Sequence, residues 1–155
     1  MEILFFKLNN KITGIFAKYL QEVVINADPV PFLPVSDFID CLLVHKGRVY
    51  GLIDLLKFFS LPDKNGSAGE IILLKYKEIE FGVVVEKVIQ KLNVAKKRII
   101  PPASKTFIPA EFVGYECKVG NRSVPIISPP KILLQKNLKD LWYDQKLFEN
   151  KKQQI

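Results

Sequence analysis

The chain has 155 residues, 48% of them hydrophobic, and a formal net charge of +7. That length suits one domain or two small ones, and the apolar share can supply a core. One histidine and two cysteines, with no CxxC, cannot complete a usual zinc set, and the positive charge favours acidic partners unless it is only a lysine-rich surface.

The first residues, MEILFFKLNNK, lack the basic n-region and small-residue cleavage site of a signal peptide. No apolar run approaches the ~20 residues that span a bilayer. A cytoplasmic protein without direct membrane insertion is expected, and Cys41 and Cys117 are expected to be free thiols in apolar strands.

Short β-type runs then follow one another: Ile3–Leu8, Lys11–Phe16, Leu20–Ile25, Cys41–His45, Arg48–Ile53, Glu70–Tyr76, Glu80–Val85, Val88–Leu92, Phe112–Lys118 and Ser123–Ile127. Turn chemistry separates several of them, with NN at 9–10, KG at 46–47, DKNGSAG at 63–69 and GN at 120–121. Many short strands with Gly and Pro punctuation predict an all-β sandwich or barrel rather than βαβ units. The polar, Gly-rich stretch 63–69 is the best internal boundary.

The chain also looks duplicated. ITGIFAKYLQEVV resembles IEFGVVVEKVIQKL when Gly14 is set against Gly82, which places Leu20 on Val88 and Glu22 on Gln90. GLIDLLKFF, from Gly51, matches PIISPPKIL, from Pro125, with Lys57 on Lys131. Two such pairs in the same order predict two copies of one small β-unit. From about Lys131 the pattern turns helical, with Leu134, Leu138, Leu141 and Phe148 on one face beside Trp142. This predicts an amphipathic C-terminal helix.

Two function classes are tested by the same residues. His45, Lys46 and Asp54 lie close in sequence, but neighbours in a strand point to opposite faces, and Asp54 is placed to cap a short helix LLKFF. No GxSxG, HExxH or P-loop occurs. No enzyme, no cofactor and no metal are expected. Nucleic-acid binding needs aromatics interleaved with basic residues on one strand face. The strands here are mostly aliphatic, and the densest basic cluster, AKKRII at 95–100, has no aromatic neighbour. No nucleic acid partner is expected.

Five motifs resemble one family, CheW, the adaptor that couples bacterial chemoreceptors to the histidine kinase CheA. TGIFAKYLQEVV is similar to its first strand pair, DCLLVHKGRVYGLIDLLKFF to its second hairpin, FGVVVEKV to a later strand, IIPPA to a turn, and GYECKVGNRSVPIISPPKILL to its ending. The resemblance runs from about Ile3 to Leu134. It implies an all-β fold of two five-stranded SH3-like β-barrel subdomains packed side by side, with short helices. Residues 1–134 would form this CheW-like domain of two interleaved subdomains, with a boundary near 63–69, and 135–155 a C-terminal helical tail. It also implies no catalysis and two partners: the chemoreceptor cytoplasmic domain at its tip, and the CheA regulatory domain.

By the same resemblance, Leu20, Glu22, Cys41 and Lys46 are candidate partner-binding residues. Lys46 stands where the family has an Arg before the turn glycine, Cys41 where a Gly is usual, Val44 for an Asn and His45 for a Leu. These changes leave a second reading: a divergent relative that keeps the scaffold with an altered partner or a structural role in the receptor array. A basic nucleic-acid-binding barrel is a third.

Overall fold

The computed structural model describes residues 1–31, 41–62, 69–103 and 105–134. Twelve strands lie among them: β1 (Glu2–Leu8), β2 (Lys11–Phe16), β3 (Leu20–Val24), β4 (Val30–Pro31), β5 (Cys41–His45), β6 (Arg48–Asp54), β7 (Glu70–Tyr76), β8 (Ile79–Val85), β9 (Lys87–Asn93), β10 (Ile99–Ile100), β11 (Val113–Val119) and β12 (Arg122–Ile127). Two short helices, α1 (Leu55–Phe58) and α2 (Pro129–Leu133), follow β6 and β12. The helix expected from about Lys131 overlaps α2, which ends at Leu133 with its C-cap at Leu134; the expected tail helix, 135–155, lies outside the described residues.

Four hairpins turn in two residues, because Leu8 pairs with Lys11, His45 with Arg48, Tyr76 with Ile79 and Val119 with Arg122. Their turn residues Asn9, Asn10, Lys46, Gly47, Lys77 and Gly120 have positive φ. That backbone twist matches the twist of the strands it joins.

The strands form two six-stranded sheets, ordered β10-β11-β12-β2-β1-β9 and β3-β7-β8-β6-β5-β4. In each, five strands of five to seven residues carry the sheet, and a two-residue strand edges it. The five-stranded SH3-like units expected from the sequence are therefore present, each with one short addition.

The duplication is visible in the ladders. Gly14 lies opposite Ile126 in the parallel β2–β12 pair, and Gly82 lies opposite Leu52 in the parallel β8–β6 pair. The glycines are the pair matched in sequence, and Leu52 to Ile126 is the same step as Gly51 to Pro125. The helices repeat the relation: the Asp54 carboxylate accepts from the Leu56 amide at 3.1 Å and caps α1, and the Ser128 hydroxyl caps α2.

The two copies have exchanged hairpins. The β1–β2 hairpin completes the sheet built from β9 to β12, and the β7–β8 hairpin completes the sheet built from β3 to β6. The strands flanking 63–69, β6 and β7, thus share one sheet. The chain changes sheets instead between β2 and β3 and between β8 and β9. We propose two interleaved subdomains with those two crossings as their limits.

Alternation along each strand divides the core in three. Leu4 and Phe6 of β1 join Ile72 and Leu74 of β7 in a shared core between the sheets. Ile3 and Phe5 face the hollow of the first sheet, beside Cys117 and Ile126. Ile71 and Leu73 face the hollow of the second, beside Leu43, Tyr50 and Leu52. Among the described residues no helix is long and apolar enough to cross a membrane.

Candidate partner-binding site

Strand β3 opens with a bulge. Its ladder to β7 runs regularly through Val24, Val23 and Glu22, then shifts between Glu22 and Leu20. In a regular strand, residues 20 and 22 would share a face. The extra residue, Gln21, puts them apart. Leu20 packs, half-buried, on the shared core, whereas Glu22 turns to the mouth of the second sheet's hollow.

There the sheet curls far enough to bring its edge strand β3 to the tip of the β5–β6 hairpin. The Glu22 carboxylate takes one contact on each oxygen: His45 Nε2 lies 2.8 Å from Oε2, and Lys46 Nζ donates to Oε1 at 3.0 Å. Because a carboxylate only accepts, the His45 ring is the donor and carries its proton on Nε2. These two hydrogen bonds, Lys46 first and His45 second, hold Glu22 below the ordinary carboxylate value of 4.5, against a smaller upward push from burial.

Beside this cluster sits a second one. A single Arg48 nitrogen, Nη1, donates to both oxygens of Glu80, at 2.6 and 2.7 Å, and Gln21 Nε2 donates to one of them at 3.0 Å. Lys75 Nζ stands 3.9 Å away. Partial burial pushes Glu80 upward, but the hydrogen bonds from Gln21 and Arg48 and the charges of Arg48 and Lys75 together outweigh it, so its carboxyl too is held below the ordinary range. The two clusters rim an open cleft of about 330 Å³, with Tyr50 and Leu73 beneath.

This cleft joins residues from β3, β5, β6, β7 and β8. It brings together two of the four sequence candidates, Glu22 and Lys46. Leu20 faces the shared core, and Cys41 lies half-buried against the core of the second hollow. The expectation that His45 and Lys46 point to opposite faces is corrected: Lys46 is not in the strand but in the turn, with φ of 51°, and its side chain comes round to the side where His45 reaches Glu22. Arg48, Glu80 and Lys75 were not singled out. Their only sequence signal is the register of the β7–β8 hairpin, which sets Glu80 opposite Lys75.

Chemically, the arrangement is a pair of carboxylates, each held by neighbouring donors. A carboxylate held ionised by two donors is a weak general base. Among the described residues, no group of three or more His, Cys, Asp or Glu side chains could hold a metal ion. What the cleft offers is a fixed pattern of charge over a small apolar floor.

A family model described as the CheW-like domain matches residues 2–137. The crystal structure of the scaffolding protein TtCheW from Thermoanaerobacter tengcongensis superposes with a TM-score of 0.78 at 23% identity, covering 88% of this chain and 94% of that one. No curated protein matches the sequence.

Proposed function

The chain belongs to the CheW-like family, and from that premise we propose that it is a non-catalytic chemotaxis adaptor that couples chemoreceptor cytoplasmic tips to the histidine kinase CheA. The family places it among chemotaxis scaffolds; the two partners and the residues that meet them are our reading. The observation that carries it is the Glu22–Lys46 pair. The two residues are 24 positions apart, one on β3 and one in the β5–β6 turn, and meet at 3.0 Å at the positions the family resemblance links to binding.

The Lys46 side chain is 73% exposed and that of Glu22 37%, so both are open to a partner. Lys46 supplies a point charge where the family has a guanidinium fork, which removes bidentate recognition at that place. His45 takes up the second Glu22 oxygen. Leu20 and Cys41 support the site from beneath, Leu20 by fixing β3 on the shared core and Cys41 by packing in the second hollow.

A divergent member with an altered partner is the second reading, and the His45 contact favours it. That contact gives each Glu22 oxygen a donor within the chain before any partner arrives. Calorimetric titration with the regulatory domain of a CheA kinase from the same organism, at two salt concentrations, separates the readings. Saturable binding that changes modestly with salt supports the adaptor; no binding supports divergence. Affinity for nucleic acid that falls steeply with salt would sink both.

A further inference from the structure

Glu22, His45, Arg48 and Glu80 have counterparts in the other sheet. The shifts that superpose Gly14 on Gly82 and Leu52 on Ile126 carry Glu22 to Gln90, Glu80 to Ile12, His45 to Val119 and Arg48 to Arg122. All four counterparts line a second cleft, at the mouth of the first sheet's hollow, with a volume of about 690 Å³. The fold has made one cleft twice, and the sequence has filled the two differently.

In this second cleft both carboxylates are gone. Ile12, Ile89, Leu92 and Val119 line it and are 37%, 40%, 43% and 47% exposed. They make up nearly half of the exposed large apolar side chains among the described residues. Such a gathering marks an interaction surface rather than scattered surface residues. Arg122 keeps the charge of Arg48, Lys11 and Lys105 join it, and no Asp or Glu is among the described residues that line the cleft. Lys11 lies over the Phe107 ring, 5.0 Å from its centre. Arg48 has Glu80 in the first cleft, but its counterpart Arg122 shares the second with Ile12 where that acid would stand.

We propose that this cleft is a separate docking site for a segment of a partner protein carrying apolar side chains flanked by carboxylates. The apolar groups fill the floor, and the carboxylates replace the two acids that the duplication lost. The inference goes beyond the adaptor reading and does not use the Glu22 cleft. Charge complementarity favours an acidic partner over the chain's own 135–155 segment, which is net positive with five lysines against three acidic residues; its run 140–144, DLWYD, has the same pattern, so crosslinking must separate the two occupants.

The test is a random dodecapeptide library displayed on phage and selected against the full-length protein. Enriched peptides are expected to hold apolar residues flanked by Asp or Glu. Their synthetic forms should bind at least ~10-fold more weakly to Arg122→Glu and to Leu92→Ser, each checked by circular dichroism for an intact fold. Glu22→Gln should bind them as the parent does. Failure to enrich, peptides without acids, or equal binding to both cleft variants overturns the proposal. So does a benzophenone placed at position 119 that crosslinks to residues 135–155 or to a second copy of the chain.

Discussion

Gly14 faces Ile126 across a parallel ladder so closely that a Cβ on Gly14 would stand 2.6 Å from Ile126 Cδ1. Gly82 and Leu52 repeat the distance, with Leu52 Cδ2 at 2.6 Å. The difference lies in the next neighbour. At Gly14 it is Ile3 Cγ2 at 2.9 Å, a branch methyl fixed by its Cβ; at Gly82 it is Leu73 Cδ2 at 3.2 Å, a chain end that can rotate. Gly14→Ala and Gly82→Ala should both destabilise by about 1–3 kcal/mol, with Gly14→Ala the costlier. Urea denaturation measures both, and a lower cost at Gly14 contradicts the packing argument.

Thr13, fully buried on β2, has a hydroxyl with no hydrogen-bond partner among the described residues. A buried polar group left unmatched costs about 1–3 kcal/mol, and valine keeps the shape without the hydroxyl. Thr13→Val should raise stability by about 1 kcal/mol, seen as a higher denaturation midpoint at unchanged slope.

Glu22 titrates below its ordinary value because Lys46 and then His45 donate to it. A depressed carboxylate stabilises the fold above its unfolded value, near 4.5, and this contribution is lost as pH falls through the folded value. Lys46→Met should move the Glu22 titration up toward 4.5, read by carbon NMR of the side-chain carboxyl. An unmoved curve would show that Lys46 is not the main cause. Glu22→Arg and Lys46→Glu should leave the fold intact and each weaken one partner contact in calorimetry.

Cys117 is fully buried, and burial pushes its thiol pKa up despite Arg98 nearby, so its reactive thiolate is scarce. Cys41 is half-buried. Iodoacetamide on the native protein should modify Cys41 and spare Cys117 until the chain unfolds. Mass spectrometry after digestion distinguishes the two sites.

Ten of the twelve strands are legible in the sequence to within one residue at each end, because alternation and β-branched runs mark them. The two that are not, Val30–Pro31 and Ile99–Ile100, are two-residue pairings too short to carry a period. The Lys77–Glu78 turn is equally silent: Lys77 takes a φ of 55° without Gly, Asn or Pro to announce it. The duplication was legible as two offsets, but not the exchange of hairpins, since period and spacing do not say which strand finds which. The candidate site divides the same way. Glu22 and Lys46 carry the motif, whereas His45 joins them only through a turn geometry and a curled sheet, neither of which composition records.

The exchange of hairpins also orders events in time. During synthesis every strand of the second sheet, β3 to β8, has been made once Val85 is in place. The β1–β2 hairpin, made earlier, must wait for β9 to β12 before its sheet can close. Until then Ile3, Phe5 and Ile15 have no complete hollow or core to enter, and pairings this distant in sequence form slowly. A nascent chain arrested with residue 86 clear of the ribosome should be cut by protease within 2–16 and resist across 70–85. The oldest hairpin in the chain would then be the last to become safe.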